Sequence, residues 1–343
     1  MILKNVALEA IEIHLPDILT SSSEIEQRLK PTYEALKLPE GRLELMTGIQ
    51  SRGLWPTGTR PSDLATAAAK KVFLNHDINP NEIDLLIHAS VCRDFLEPST
   101  ASVIHNNLEL NEKTMIFDLS NACLGVLSSM HIAAQMIESG QIKKALIVSG
   151  ENAGPLVEET ISFLNEKSQT KEITRKSIKS YMANLTIGSG AVAIVLSDST
   201  LVKDAPKITG SVTMTDSSAN VLCQGDGNTH SLMMQTDSEA LMHAGVKLAK
   251  KTWTLFQEKT KIDTPDWVIT HQVGSAHEKL TLEALRLENI PTVRTYPSLG
   301  NTGSAALPLT LYKLLNEQQL QNKKVALLGI GSGLTSTMMG LQC

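Results

Sequence analysis

The stretch Phe117-Asp118-Leu119-Ser120-Asn121-Ala122-Cys123-Leu124-Gly125 passes from a short apolar strand, through small and polar residues, into a helix. Apolar residues then recur at helical spacing from Val126 to Ile137, and Gly140 is a typical helix end. Cys123 therefore lies at a predicted helix N-terminus. Unpaired N–H groups and the positive end of the helix dipole favour the thiolate there, and the thiolate is the nucleophilic form. The alternative is a small buried side chain, since free cysteines are frequent in cores.

The strand–helix unit around Cys123 occurs twice in the chain. Three pairs of segments match in the same order, at offsets of 182, 178 and 180 residues: Ile83–Val91 with Pro265–Val273, Phe117–Ser120 with Thr295–Ser298, and Lys143–Gly150 with Lys323–Ile330. A predicted helix follows each member of the second pair, over Leu124–Ile137 and Ser304–Leu315. Three matches at nearly one offset indicate an internal duplication.

The duplication predicts an α/β fold whose two halves are related by a pseudo-twofold axis. Continuous apolar strands that alternate with helices are typical of parallel sheets covered on both faces. The first half, residues 1–200, is longer than the second, 201–343, because an insertion at about 155–185 has no counterpart late in the chain. The insertion mixes charged and apolar residues, so a cap over a tunnel, a subunit interface and a plain surface excursion all stay open.

The duplication also predicts which polar residues meet. Cys123 and Asn301 occupy matched points, each just before a predicted helix, and His271 ends the strand that matches the one ending at Ala89. Ligand groups of α/β sheets gather at the carboxyl ends of strands. We therefore expect Cys123, His271 and Asn301 to converge near the axis.

Composition excludes several classes of function. The formal net charge is −5 and no long basic stripe occurs, which argues against a nucleic-acid-binding protein. The four cysteines include no CxxC pair, so neither a zinc ribbon nor a thioredoxin motif is expected. The first dozen residues carry Lys4, Glu9 and Glu12, unlike a signal peptide, and no apolar run is long enough to cross a bilayer. We expect a cytoplasmic protein without structural disulfides.

Rival active-site motifs are absent or incomplete. Gly329-Ile330-Gly331-Ser332-Gly333 lacks the third glycine of the dinucleotide fingerprint and has too little chain after it, so a Rossmann site is excluded. Neither a P-loop nor a G-x-S-x-G elbow occurs. A cysteine hydrolase stays open in principle, since cysteine, histidine and asparagine also serve in peptidases, but the duplicated framework disfavours it.

The remaining histidines and cysteines of interest are interpreted as structural. They are His88, His105 and His131 on apolar patterns, Cys92, the terminal Cys343, and Cys223 beside the predicted turn Gly225–Asn228.

Six motifs together resemble the thiolase superfamily, and within it the ketoacyl-acyl-carrier-protein synthase III group. They are Thr47-Gly48-Ile49, Asn121-Ala122-Cys123, Gly188-Ser189-Gly190-Ala191-Val192-Ala193, Thr270-His271-Gln272, Gly300-Asn301-Thr302-Gly303-Ser304 and Gly329-Ile330-Gly331-Ser332-Gly333-Leu334. The resemblance runs from the first strand to the last residues. It implies the thiolase fold, with its duplicated α/β halves in five layers (αβαβα), and a homodimeric acyltransferase.

The residue before Pro98 points to one branch of that group. Typical synthase III enzymes have an apolar residue, often Phe, before the matching proline, whereas this chain has Glu97. In this respect the chain resembles the OleA-type acyl-CoA condensing enzymes of long-chain olefin biosynthesis. The resemblance implies that Glu97 acts in the active site of the partner subunit, across the dimer interface. The alternative is a surface or interface carboxylate in a salt bridge.

A Claisen condensation needs residues of these types. Cys123 would accept an acyl group from coenzyme A as a thioester. The resemblance places the backbone N–H groups of Cys123 and Ser332 in one oxyanion hole and the side chains of His271 and Asn301 in a second. Glu97 would remove the α-proton of a plain acyl thioester, whereas a malonyl thioester gives the enolate by decarboxylation without a base.

The expected reaction is the non-decarboxylative condensation of two acyl-CoA molecules to a β-keto acid. The alternative is the decarboxylative condensation of acyl-CoA with malonyl-acyl-carrier protein, which would add acyl-carrier protein as a partner. Arg52 is a further candidate, for the phosphates of coenzyme A, with a surface arginine as its alternative. No metal ion or cofactor is expected beyond the coenzyme A thioesters that serve as substrates.

Overall fold

The computed structural model describes residues 2–225 and 233–343, so the predicted turn Gly225–Asn228 lies mostly outside the described residues. Thirteen strands occur in these two ranges: β1 (Val6–His14), β2 (Leu19–Ser21), β3 (Ser51–Gly53), β4 (Leu85–His88), β5 (Met115–Asp118), β6 (Lys144–Glu151), β7 (Gly190–Asp198), β8 (Lys207–Thr215), β9 (Cys223–Gly225), β10 (Met234–Thr236), β11 (Trp267–Thr270), β12 (Lys324–Gly331) and β13 (Thr335–Gln342).

Eleven α-helices occur in the same two ranges: α1 (Ser22–Arg28), α2 (Lys30–Leu36), α3 (Arg42–Thr47), α4 (Pro61–Asn75), α5 (Thr100–Asn107), α6 (Gly125–Glu138), α7 (Gly154–Gln169), α8 (Ser238–Thr260), α9 (Ser275–Leu285), α10 (Tyr296–Leu299) and α11 (Ala306–Glu317). Short 3₁₀ helices add four turns: Pro80–Glu82, Ser177–Thr186, Ser217–Leu222 and Gly303–Ala305. Within the described part of the chain, no helix combines the length and the apolarity needed to cross a bilayer.

The main sheet has two similar arms. Its nine strands, counted within the described ranges, have the order β11-β12-β13-β8-β1-β7-β6-β4-β5. In one arm β5, β4 and β6 are parallel and β7 and β1 follow antiparallel; in the other β11 and β12 are parallel and β13 and β8 follow antiparallel. The strand pair β1–β8 is in register at a single position, Ala7 with Lys207, so the two arms join through a narrow contact.

Matched residues of the two arms make the same hydrogen bonds. The Asp84 carboxylate accepts the N–H of Lys144 at 3.0 Å, and the Asp266 carboxylate accepts that of Lys324 at 2.8 Å. In the second arm, a single parallel bridge between Thr292 and Val268 of β11 takes the place that β5 has in the first arm. The predicted duplication is therefore present in the structure, whereas the boundary between halves at residue 200 stays a prediction.

Three apolar cores separate the layers. The central core lies between the arms and combines α6 and α11 with one face of β4, β6, β11 and β12; Val126, Leu311 and Leu327 are among its members. A second core packs α4 and α5 on the outer face of the first arm, and a third packs α8 and α9 on the outer face of the second. Alternate strand residues face opposite cores, as β-strand geometry requires. The result is the predicted αβαβα order of layers.

The insertion at about 155–185 forms α7 and part of the 3₁₀ helix Ser177–Thr186. Its apolar side chains join a fourth core with α1 and α2, in which Ile25, Leu29, Val157 and Leu164 are buried. Apolar residues in the insertion are thus explained by packing. Whether it caps a tunnel or meets another subunit stays a prediction.

We expect Leu146→Ala to destabilise the protein far more than Leu74→Ala. Leu146 is 0% exposed in the core between β6 and α4, so its truncation should cost about 2–5 kcal/mol in the free energy of unfolding. Leu74 is 82% exposed on α4, so the same change should stay within about 0.5 kcal/mol. Denaturant-induced unfolding measures both values, and equal losses would contradict the packing of α4 on β6.

Candidate active site

Cys123 and His271 both lie beside the carboxyl end of β12. Cys123 precedes α6, and the adjacent Leu124 packs on this strand, since a Cβ added to Gly329 would lie 2.6 Å from Leu124 Cδ2. His271 directly follows β11, and its N–H donates to the Leu328 carbonyl at 3.0 Å. The matched Ala89 N–H makes the equivalent bond to Val148. The structure therefore brings the backbones of the two predicted residues to one edge of the sheet.

The Asn301 segment is fixed by its main chain just before β7, next to the carboxyl end of β6. Asn301 N–H donates to the Thr186 carbonyl at 2.9 Å, and the Asn301 carbonyl accepts the N–H of Gly188 at 2.9 Å. The side-chain oxygen of Asn301 accepts the N–H of Gly303 at 3.1 Å. An amide held through its oxygen presents its nitrogen as the donor, so Asn301 can donate a hydrogen bond to a substrate carbonyl.

The His271 imidazole is neutral. It is 3% exposed, and burial lowers its pKa from 6.5 to about 3, with a smaller contribution from His277. Nδ1 has no hydrogen-bond partner among the described residues. A neutral imidazole offers one acceptor and one donor nitrogen, so His271 can take a proton from a thiol or donate a hydrogen bond to an oxyanion.

Gln272 connects the His271 strand end to the chain that leads to Asn301. Its side-chain oxygen accepts the N–H of Thr295 at 2.8 Å, and its side-chain nitrogen donates to the Thr270 carbonyl at 2.8 Å. Gln272 is 1% exposed, so both bonds are shielded from water. Gln272 therefore ties the end of β11, next to His271, to Thr295 at the start of α10, the helix that leads to Asn301.

The predicted stabilisation of the Cys123 thiolate is wrong for the folded chain. Helix α6 begins at Gly125, and Cys123 is half-buried just outside it. Burial, followed by the negative charge of Glu151 and then by Cys223, raises the Cys123 pKa to about 12. Desolvation of the charged form thus outweighs the helix dipole. The thiol is protonated at neutral pH, and its proton must leave during acyl transfer.

The turn that carries Ser332 lies next to Cys123. It joins β12 to β13, and a Cβ added to Gly331 would lie 3.0 Å from Leu124 Cγ. The absence of a side chain at Gly331 allows this close approach. The turn is therefore placed near the main chain of Cys123 and Leu124, as an oxyanion hole shared between Cys123 and Ser332 requires.

Glu97 does not join the cluster of its own chain but lies at the surface. It is exposed in the loop between β4 and α5, where Val91, Phe95 and Leu96 are also exposed, at 51%, 39% and 91%. A carboxylate surrounded by exposed apolar side chains fits a surface that another protein covers.

The prediction that Arg52 meets coenzyme A phosphates is wrong. Arg52 is 0% exposed, and its Nη2 donates to Ser22 Oγ at 2.9 Å. Burial lowers its pKa to about 10. A guanidinium enclosed in this way cannot reach a phosphate in solvent. Its position in the two-strand ribbon β2–β3 gave no sequence signal for burial.

The three histidines that the sequence analysis interprets as structural have partners in the structure. His88 is 2% exposed with Nδ1 3.4 Å from an Asp118 oxygen, His105 bonds to the Asn111 carbonyl at 3.1 Å, and His131 contacts Ser211. No group of three metal-ligating side chains occurs among residues 2–225 and 233–343.

Two residues near the thiol were missed by sequence reasoning. Cys223 lies in β9, accepts a hydrogen bond from Thr236 at 3.4 Å, and acts electrostatically on Cys123. Glu151 ends β6 and also acts on Cys123. Neither belongs to the six motifs, but Glu151 ends a mainly apolar strand, and a carboxylate at a strand end could have been considered.

We expect His271→Asn to flatten the pH dependence of stability below pH 6. Between pH 6 and 4 an unfolded histidine is protonated whereas His271, with a pKa of about 3, is not. The unfolded state then binds more protons than the folded state. The free energy of unfolding therefore decreases as the pH is lowered, by about 1.4 kcal/mol per pH unit for this group. Denaturant unfolding at several pH values measures the slope. The control variant His243→Asn, at an exposed histidine of α8, should show the wild-type slope of unfolding free energy against pH. If His271→Asn also shows the wild-type slope, His271 is not a buried neutral imidazole.

Known proteins match this chain along its whole length. The family model described as 3-oxoacyl-[acyl-carrier-protein (ACP)] synthase III matches residues 117–217, and the model of its C-terminal part matches residues 255–343. The acyl-CoA:acyl-CoA alkyltransferases of Xanthomonas campestris pv. campestris and Shewanella oneidensis are each 37% identical to this chain, over 98% of both sequences.

Solved structures agree with the sequence comparisons. A structure of Xanthomonas campestris OleA covers 100% of both chains at 35% identity with a TM-score of 0.93. The 3-oxoacyl-(acyl carrier protein) synthase III, FabH, of Xanthomonas oryzae pv. oryzae covers 100% of both chains at 35% identity with a TM-score of 0.92. The predicted thiolase fold is confirmed. The chain therefore belongs to the synthase III group of the thiolase superfamily, the group that includes the OleA proteins.

Proposed function

We propose that this enzyme condenses two acyl-CoA molecules without decarboxylation and releases a β-keto acid. The observation that carries the proposal is Glu97, a carboxylate at the position where typical synthase III enzymes have an apolar residue. Its exposure on a loop near the candidate site suits a base that is lent to a second subunit. The acyl-CoA:acyl-CoA alkyltransferases that match 98% of the chain support the same reaction class.

In the first half-reaction Cys123 accepts an acyl group. The thiol proton passes to the neutral His271 imidazole as sulfur attacks the thioester carbon of acyl-CoA. The backbone N–H groups of Cys123 and Ser332 bind the oxyanion that forms. The carbon–sulfur bond to coenzyme A then breaks, and the departing thiolate takes the proton back from His271. An acyl-Cys123 thioester and free coenzyme A result.

In the second half-reaction the partner's Glu97 removes the α-proton of a second acyl-CoA. Hydrogen bonds from His271 and Asn301 to the thioester oxygen stabilise the enolate. The enolate carbon attacks acyl-Cys123, the carbon–sulfur bond to Cys123 breaks, and a β-ketoacyl-CoA forms. The departing Cys123 thiolate takes up the proton that Glu97 removed, which restores the thiol and the carboxylate. Hydrolysis of its thioester gives the β-keto acid and a second coenzyme A.

The same placement supports a homodimer. Strand β5 is an edge strand of the described sheet, and its Met115 is 51% exposed. Unpaired edges and exposed apolar groups favour association. Together with the exposed loop around Glu97, β5 supports a second copy of this chain as the partner.

Solved OleA structures include forms in which a glutamate, a histidine or a cysteine is replaced, and these residue types are the ones given roles here.

A second candidate is the decarboxylative condensation of acyl-CoA with malonyl-acyl-carrier protein. The family models that match residues 117–217 and 255–343 are both described as 3-oxoacyl-[acyl-carrier-protein] synthase III, which favours it. In that reaction Cys123, His271 and Asn301 keep their roles. Glu97 has none, since carbon dioxide loss provides the enolate.

Purified enzyme given one acyl-CoA and no malonyl donor should release coenzyme A and form a carbon–carbon coupled product. Glu97→Gln should lower this rate at least about 100-fold, because a positioned base contributes about 10²–10⁴-fold. Glu97→Gln should still form acyl-Cys123, whereas Cys123→Ser should form none. Thiol release and mass spectrometry of intact enzyme and product measure these steps. Product that appears only after addition of malonyl-acyl-carrier protein, with Glu97→Gln as active as the wild type, would establish the second candidate.

Mixing two inactive variants should restore activity if Glu97 acts across the interface. A heterodimer of Cys123→Ala and Glu97→Gln chains has one site with both Cys123 and Glu97. Free subunit exchange at equal amounts makes half of the dimers mixed, so about a quarter of the wild-type rate is expected. Coupled product is measured after co-refolding or prolonged exchange. Mixed dimers without activity, verified by differently tagged chains, would place Glu97 in its own subunit's site.

A further inference from the structure

Glu151 is a buried carboxylate without a cationic partner. It is the last residue of β6 and is 3% exposed. None of the ion pairs among residues 2–225 and 233–343 includes it. A buried charge is costly unless hydrogen bonds compensate it, so the bonds that Glu151 accepts identify what it holds.

These bonds join two loops of the candidate site. Oε1 accepts the N–H of Val91 at 2.9 Å and that of Ser304 at 3.0 Å, and Oε2 accepts the N–H of Cys92 at 3.3 Å. Val91 and Cys92 begin the loop that carries Glu97. Ser304 ends the segment that carries Asn301. One carboxylate therefore fixes the loop that carries Glu97 and the segment that carries Asn301 to the end of the same strand, β6.

The packing around this carboxylate is close. The Ser304 hydroxyl lies 2.7 Å from Oε1 and 2.6 Å from the Ala89 carbonyl oxygen, so its one proton can be donated to either acceptor. Gly303 has φ +57°, and a Cβ added there would lie 2.9 Å from Oε1. The Asn301 segment thus has little freedom to move relative to Glu151.

The duplication shows that the strand itself does not need this carboxylate. At the offset of 180 residues that relates β6 to β12, Glu151 matches Gly331. Gly331 ends its strand without a side chain and leads into the turn of Ser332. Glu151 is therefore a feature of the first arm alone, where the loop to Glu97 begins.

We propose that Glu151 is a positioning residue for the condensation step: its carboxylate holds the Glu97 loop and the Asn301 segment in one register, so that base and amide face their substrates correctly. The proposal rests on the proposed function. The described hydrogen bonds of the Glu151 carboxylate reach neither His271 nor the Ser332 turn, so acylation of Cys123 depends on it less.

The test compares the two half-reactions in Glu151→Ala and Glu151→Gln. Displacement of reacting groups by about 1 Å costs about 100-fold in rate. We expect Glu151→Ala to lose about 100-fold in formation of coupled product and less than about fivefold in single-turnover acylation of Cys123. Glu151→Gln keeps one acceptor oxygen, so it should recover condensation to within about tenfold of the wild type, with acylation within about fivefold of it. Glu34→Gln, at an exposed carboxylate of α2, should alter neither step.

Equal losses in both half-reactions, or no loss of condensation in a folded Glu151→Ala enzyme, would overturn the proposal. If Glu151→Ala does not fold, Glu151→Gln alone decides, because a purely structural role would lower both steps together. Wild-type enzyme that forms no coupled product from acyl-CoA alone shows a failure of the proposed function instead. In that case the two half-reactions of the Glu151 variants are compared with malonyl-acyl-carrier protein as the second substrate. A loss of condensation larger than the loss of acylation then supports a positioning role for Glu151, exerted on the Asn301 segment.

Discussion

The packing of α6 and α11 between the two arms of the sheet is the constraint on which the site depends. Both helices are buried in the central core, and the segments just before them carry Cys123 and Asn301. A helix packed on two sheets cannot shift without opening both contacts. Cys123 is therefore held beside the carboxyl end of β12, where His271 also lies, and the Asn301 segment is held beside the carboxyl end of β6. Apolar packing around a pseudo-twofold axis fixes the geometry of a polar site.

The same burial determines the charges of the site. Cys123 is a protonated thiol and His271 a neutral imidazole, because the charged form of each is poorly solvated there. A neutral pair costs little to bury, and in the proposed reaction the ion pair forms only as an acyl group is attacked. Hydrogen-bond donors that are already oriented then meet the developing oxyanion without reorganisation. Burial thus explains both the absence of charge on Cys123 and His271 at rest and the strong stabilisation of the oxyanion during the proposed reaction.

Patterns of sequence predicted much of this architecture. The duplicated segments gave the matched strands, and the predicted helix over Leu124–Ile137 is α6, Gly125–Glu138, within one residue at each end. These predictions succeeded because strand and helix periodicity depends on local spacing. Placing His271 level with Ala89 succeeded because both make the same backbone bond to the neighbouring strand.

What could not be predicted depends on contacts between distant segments. The burial of Arg52 results from its packing beside residues 188 and 300, and the Cys123 pKa results from desolvation and from Glu151. Neither leaves a periodic pattern. Glu151 illustrates the limit best: its partners Val91 and Ser304 lie 60 and 153 residues away, so its place between two loops is visible only in three dimensions.

Hydrogen exchange at the α-carbon of the substrate tests the central claim most directly. A Cys123→Ser enzyme cannot form the acyl intermediate, but its Glu97 can still remove and return the α-proton of bound acyl-CoA. In deuterated water we predict that recovered acyl-CoA carries deuterium at the α-carbon and that Cys123→Ser with Glu97→Gln abolishes the exchange. Exchange at the same rate in both enzymes, or none above the uncatalysed level in either, would contradict a condensation that begins with proton removal by Glu97.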